Sequence, residues 1–285
     1  MWIWMALASA CLLGVYDVAK KQALKKNGVL WVLLGATALT AVIMSPCLSH
    51  GSLHDHLLLV VKAFIVTTSW ISGLAALNYI PITTASPIKA TRPVIVVLFS
   101  IILFGEHLNL WQWCGVVTVI AAMYLLSRSS KKEGIAFSRN KGIAYMVISV
   151  LSGSFSALYD KHILSMLEPL FVQSWTNVYI TILLAAVILF KKLAKPQDHE
   201  RFKWDWTIVI IAVLITISDA LYFFAVKQDG SLLSVISLIR RGSVLITFVL
   251  GGLMFKEHNI KSKAVSLGIL SAGIVLLMLG SSIAG

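Results

Sequence analysis

Apolar runs of about 17–25 residues follow one another from one end of this chain to the other, each long enough for a helix to cross the hydrocarbon of a bilayer. They place spans near residues 2–19, 29–48, 57–80, 82–104, 111–127, 142–163, 169–190, 205–226, 231–255 and 264–283. In lipid every backbone polar group must be satisfied within the protein, so runs of this length are read as helices. The expectation is an all-α integral membrane protein with ten transmembrane helices. Composition agrees, at 58% hydrophobic and 13% charged residues against about 45–50% and 25% in soluble domains. No room is left for a separate soluble catalytic domain. The start, Met1-Trp2-Ile3-Trp4, lacks the positive segment and cleavage site of a signal peptide, so the first helix is expected to stay.

The runs divide into two copies of one unit. Ser86, Ile88, Lys89, Phe104, Glu106 and His107 reappear as Ser237, Ile239, Arg240, Phe255, Glu257 and His258, at a constant offset of 151 positions. Leu13-Gly14-Val15-Tyr16-Asp17 is echoed by Ser156-Ala157-Leu158-Tyr159-Asp160, 143 positions on. The hydrophobic pattern breaks between them, giving a first repeat at 1–130, a basic loop at 131–141 and a second repeat at 142–285. Five spans per copy is an odd number, so the second copy is inverted in the membrane, as in many secondary transporters.

Charge sets the orientation. In a ten-span arrangement seventeen Lys and Arg residues, from Lys20 through Lys263, fall in loops on one side, and Lys62, Lys161 and Lys227 lie on the other. The rich side is read as cytoplasmic, which puts both termini outside and the chain in the inner, cytoplasmic membrane. The net charge of +12 is therefore topology signal rather than a nucleic-acid footprint. Trp2, Trp4, Trp31, Trp111, Trp113, Trp204 and Trp206 stand at span starts, at headgroup level.

Ten short spans in two five-helix copies, with an apolar helix that ends in Glu near the fourth span of each half, resemble the drug/metabolite transporter superfamily, and within it the EamA-type members. Arg92 to Leu108 is similar to the signature of that helix; Gly242 to His258 departs from it, lacking the Pro and carrying Lys256 where the first copy has Gly105. The resemblance covers essentially the whole chain. It implies a carrier of small metabolites and leaves the substrate open. Ten-span members are often drawn with cytoplasmic termini, the reverse of the charge count.

Charges in mid-membrane are expensive and usually functional. Lys89, Arg92, Arg240 and Arg241 all lie too deep in their spans to reach an interface easily. Pro87 and Pro93 flank the first pair and should kink that helix. Matched positions of an inverted repeat share one depth, so Lys89 and Arg240 are expected to hold an anionic group between them, with Arg92 and Arg241 as further bases. Arg241 points about 100° away from Arg240 on a helix. Asp219 is a candidate proton carrier or the partner of a buried base, and Asn78, Tyr16, Tyr159 and Asn177 are candidate substrate contacts. Asp17 and Asp160 are candidate gate or coupling residues, or simple pairs with Lys20, Lys21 and Lys161 beside them. The alternative for all four bases is structural pairing with Asp17, Asp160 and Asp219. Glu106 and Glu257 are expected to fix the turns at their helix ends, and Gln173 to bond a neighbouring helix.

Several chemistries are set aside. There is no GxxxxGK[ST] loop, HExxH or GxSxG motif, so the chain is not read as an enzyme and no cofactor is expected. His50, His54 and His56 share a loop with Asp55 and read as solvated rather than metal-binding, and Cys11, Cys47 and Cys114 as small hydrophobes. The function expected is a secondary active transporter or exchanger moving a small polar, anionic organic metabolite by alternating access. Its partners would be that metabolite and the bilayer, with a homodimer left open and no nucleic acid. The alternative is a flippase for an anionic lipid headgroup or a non-transporting subunit of a membrane complex.

Overall fold

The computed structural model describes residues 2–95, 99, 109–164, 166–194, 202–227 and 239–283, whose regular structure is helical with no strand among them. The helices are α1 (Trp2–Ala23), α2 (Val29–Ile43), α3 (Leu53–Ala76), α4 (Ile82–Ala90), α5 (Leu110–Lys131), α6 (Lys141–Leu164), α7 (Pro169–Ala194), α8 (Trp206–Lys227), α9 (Ser243–Phe255) and α10 (Ile260–Ile283). Six of them, α1, α3, α5, α6, α7 and α10, are long and apolar enough to cross a membrane. Local chemistry sets several ends. Ser52 and Asp55 form a capping box at the start of α3, and Asn109 and Gln112 form one at the start of α5, each satisfying amides that the first turn leaves free. The span expected over 82–104 is interrupted: α4 stops at Ala90, Thr91 is a turn, and helix resumes at Arg92. Pro93 removes an amide from the helical ladder and crowds the preceding turn, so the break falls between the two basic residues of this span. Past residue 95 the span, Phe99 apart, lies outside the described residues, as do Glu106 and His107 beyond it and Ser237 and Leu238 of the second copy.

Packing follows a pattern. α1 lies against α8 and α3 against α6, while α2 pairs with α7, α4 with α9 and α5 with α10. Further contacts join α3 to α7, α2 to α8, α1 to α9 and α4 to α6. Helix–helix association in lipid depends on close approach and interhelical hydrogen bonds rather than on hydrophobic burial, and both occur. A Cβ on Gly115 of α5 would sit 2.8 Å from the Gly273 carbonyl of α10, and one on Gly273 would sit 3.0 Å from the Gly115 carbonyl. Only glycine lets these two helices cross so tightly. Serines bridge the two other main pairs. The Ser9 hydroxyl donates to the Ser218 carbonyl at 2.8 Å, and the Ser218 hydroxyl donates back to the Ser9 carbonyl at 2.9 Å. Ser69 and Ser149 make the same reciprocal exchange at 2.8 and 2.7 Å.

The two largest apolar clusters lie one among α1, α2, α3, α7 and α8, built on Tyr16, Leu33, Leu184 and Ile211, the other among α4, α5, α9 and α10, built on Val119, Phe248, Leu270 and Leu277. The perimeter is apolar as well. Trp4, Phe190 and Leu253 are 76, 75 and 70% exposed, a surface that only a bilayer makes favourable. The basic segments gather at one end. Lys21 meets Glu257, Lys26 meets Asp205, the Asn27 amide donates to the Lys203 carbonyl, and Lys263 meets Glu133.

Candidate functional site

The break in α4 brings a set of charges into the middle of the bundle. Lys89, in the last turn of α4, donates to Asp17 of α1 at 2.5 Å, and the other oxygen of Asp17 meets Lys20 at 3.2 Å. The Lys20 ammonium also sits over the Tyr16 ring, 4.2 Å from its centroid. Arg92, just past the break, reaches α3 and α6 instead. Its guanidinium donates to the Ser69 hydroxyl at 3.1 Å and to the Ser149 carbonyl at 3.3 Å, against Gly153, where a Cβ would collide with it. Its Nε is buried without a hydrogen-bond partner among the described residues.

The second copy contributes Arg240, which is ion-paired to Asp219 and lies over the Tyr222 ring, 4.3 Å from its centroid. Arg241, the next residue, has no carboxylate or hydrogen-bond partner among the described residues, and the side chains whose charges act on it are Arg92, Arg240 and Tyr222. Lys89 in turn feels Asp17, Lys20 and Arg92. The groups form an electrostatic cluster of two ion-paired sets, Lys20–Asp17–Lys89 and Arg240–Asp219, with Arg92 in range of the charges of the first and Arg241 of the second. It holds five cations and two carboxylates.

Other expected residues are placed as follows. Tyr16 and Asn177 line, with Lys20 and Trp70, a cavity of about 10 Å³ next to this cluster, room for roughly one water. The Asn177 amide itself donates to the Gln173 carbonyl of its own helix at 2.9 Å. Asp160 is paired at 2.6 Å with Lys62 of α3, a partner that sequence proximity did not suggest. Tyr159 donates to the Leu58 carbonyl at 3.2 Å. Asn78 is exposed in the turn after α3. His56 bonds Tyr179 at 2.9 Å inside a group of rings with Phe171 and Trp175. No group of three or more metal-ligating side chains occurs among the described residues.

Three features were not foreseen. Glu257 does more than terminate its helix, because it crosses to the first residues of α4. Lys263 is fully buried against Glu133. Ser9, Ser69, Ser149 and Ser218 were not singled out as serines in apolar runs, although a hydroxyl in such a run calls for a partner on a neighbouring helix.

A bundle of apolar helices with charges enclosed at its centre defines a multi-pass membrane protein. The EamA-like transporter family profile matches residues 1–128 and 140–279, and the chain belongs to that family of transporters. An uncharacterized transporter of Archaeoglobus fulgidus is 21% identical over 211 residues, covering 73% of this chain and 70% of that protein. A crystal structure with 14% identity superimposes with a TM-score of 0.66 over 98% of this chain and 96% of that one, and shares its fold.

Proposed function

We propose that the chain is a secondary transporter of ten transmembrane helices in two inverted five-helix repeats, which carries a small anionic organic metabolite across the cytoplasmic membrane by alternating access. The packing supports the repeat. Exchanging each helix of α1–α5 with its counterpart in α6–α10 turns the α1–α8 contact into α6–α3, and α2–α8 into α7–α3, while α2–α7, α4–α9 and α5–α10 map onto themselves. The serine bridges obey the same exchange helix by helix, the α1–α8 bridge Ser9–Ser218 answering the α6–α3 bridge Ser149–Ser69. The gathering of four basic segments at one end supports a cytoplasmic assignment for that end.

The observation that carries the substrate class is the cation excess. Lys89 and Arg240 hold Asp17 and Asp219, whereas Arg92 makes no ion pair and has only the more distant charge of Asp17 acting on it, and Arg241 has no carboxylate partner among the described residues. Like charges in a low dielectric repel strongly, and an anion between Arg92 and Arg241 relieves that repulsion. A carboxylate or phosphate is held there by paired guanidinium bonds, and Lys89 and Arg240 join it as Asp17 and Asp219 yield. In this reading Asp17 and Asp160 work as gate pairs with Lys89 and Lys62, and Tyr16 and Asn177 line the approach. Counterflow in proteoliposomes tests it: a small anion inside should drive uptake of the same labelled anion, and Arg92→Gln or Arg241→Gln should abolish that uptake. Uptake only of neutral or cationic solutes would refute the class.

One observation favours a lipid-directed reading. An apolar groove of about 430 Å³ opens between α3 and α6, lined by Phe64, Ile65, Leu151 and Phe155. A flippase would use it for an acyl chain, and competition of a lysophospholipid with small anions separates the two.

A further inference from the structure

The carboxylate of Glu257 is the meeting point of three helices. α9 ends at Phe255, and the chain reverses there by holding Lys256 in the left-handed region, φ 49°, which is strained for a residue with a side chain. The turn aims Glu257 at α4. One carboxylate oxygen accepts from the Lys21 ammonium of α1 at 2.5 Å and from the Ile82 amide at 2.9 Å. The other accepts from the Thr83 amide at 2.9 Å and the Thr83 hydroxyl at 2.5 Å. Ile82 and Thr83 open α4, where amides have no partner within the helix and the dipole favours a negative charge.

The neighbourhood is packed to match. A Cβ on Gly252 of α9 would touch the Thr83 methyl at 3.3 Å, and one on Gly251 would strike Ile82. Behind Thr83, the fully buried Lys263 donates to its hydroxyl at 3.1 Å and to Glu133 at 2.7 Å. The first residues of α4 are therefore clamped to α1, α9 and α10 and, through Lys263, to the α5–α6 loop. Lys89 lies six residues further along the same helix, about 9 Å at 1.5 Å per residue.

We propose that Glu257 is the latch that closes the basic end of the bundle over the central charge cluster. The proposal rests on the alternating-access reading: opening that end requires α4 to part from α9, and that requires Glu257 to release its three hydrogen bonds from Ile82 and Thr83 at once. Because α4 also carries Lys89, its release at one end displaces the base that holds Asp17.

The test uses the full chain in native membranes with Cys11, Cys47 and Cys114 replaced by Ser, and it needs no substrate. Ser86→Cys puts a thiol at a buried position of α4 between the latch and Lys89, and Ala122→Cys puts a second at a buried position of α5 as a control. A membrane-impermeant maleimide is applied from the side of the basic loops. Glu257→Gln should raise labelling at position 86 at least tenfold and leave position 122 slow. Unchanged labelling at 86, or an equal rise at both positions, overturns the latch. If Glu257→Gln does not fold, Lys21→Met keeps the carboxylate on α4 while removing its cation, and should raise labelling at 86 about threefold. No rise there also overturns it. The latch and the anion site fail separately, since labelling is read without any anion present.

Discussion

Asp17 is the carboxylate on which the most charge depends, and its replacement by Asn gives the sharpest stability test. The side chain is 12% exposed and stands between Lys89 at 2.5 Å and Lys20 at 3.2 Å. In Asp17→Asn the amide would fill the same volume and leave two ammonium groups facing each other in the interior. Removing one partner of a buried pair costs about 3–5 kcal/mol. Lys89 keeps 35% of its side-chain surface, so water screens part of that loss and about 2–3 kcal/mol is expected. The double variant Asp17→Asn/Lys89→Met removes one stranded charge and should recover at least about 1 kcal/mol relative to Asp17→Asn alone. Unfolding in mixed micelles, followed by tryptophan fluorescence, reads both numbers. Asp17→Asn as stable as the parent, or a double variant no better than the single one, would show that the pair does not bear the charge balance assigned to it.

Other consequences are checked as directly. Burial pushes the Glu257 carboxyl up, but the hydrogen bonds from Lys21 and Thr83 outweigh it and hold the group below the usual glutamate range. A depressed value means that its contribution is complete above the ordinary glutamate pKa, about 4.3, and is lost as pH falls through the lower folded value. Amide exchange at Ile82 and Thr83, corrected for intrinsic rate, should stay flat from pH 8 to pH 5, and loss of protection near pH 6 would contradict this. Gly273→Leu should destabilise by about 1–3 kcal/mol or more by forcing a side chain between α5 and α10, whereas Gly268→Ala, with nothing within 4 Å of the added carbon, should gain about 0.5–1 kcal/mol. Thermal melts of the two variants should move in opposite directions. Reporter fusions at Gly134 should read cytoplasmic and fusions after Gly285 external; the opposite pair of readings overturns the orientation.

The helices were legible in the sequence because lipid imposes one rule along every span, and eight of the ten expected stretches coincide in large part with observed helices, while the first eight residues of the ninth, 231–255, lie outside the described residues. The fourth shows where that rule stops. Pro93 announced a kink, yet its extent, a turn at Thr91 between Lys89 and Arg92, depends on α3 and α6 offering Ser69 and Ser149 to the displaced arginine. The ionisable candidates were legible as residues because charges are rare in apolar runs, but their partners were not. Asp160 lay beside Lys161 in sequence and is joined to Lys62 across a helix interface; Asp17 gained Lys89 in addition to its neighbour Lys20. Such choices are made by helix packing, which a single sequence does not encode locally. Glu257 was hidden by its own position, because a Glu at a helix end usually serves that end. Only the left-handed turn at Lys256 redirects it to α4.

The central claim is that the cluster around Arg92 and Arg241 binds an anion, and calorimetry on the purified full chain in lipid nanodiscs tests it most directly. Small monocarboxylates, dicarboxylates and phosphomonoesters are titrated against the parent and against Arg241→Gln, Lys89→Gln and Arg240→Gln. At least one anion should bind the parent, and each variant should weaken it by about 1.5–3 kcal/mol, the worth of a charge-assisted bond, at least tenfold in affinity. Arg241→Gln should also melt no lower than the parent, since it removes a cation that has no carboxylate partner among the described residues. Folded variants that bind the same anion at the parent's affinity would contradict the account.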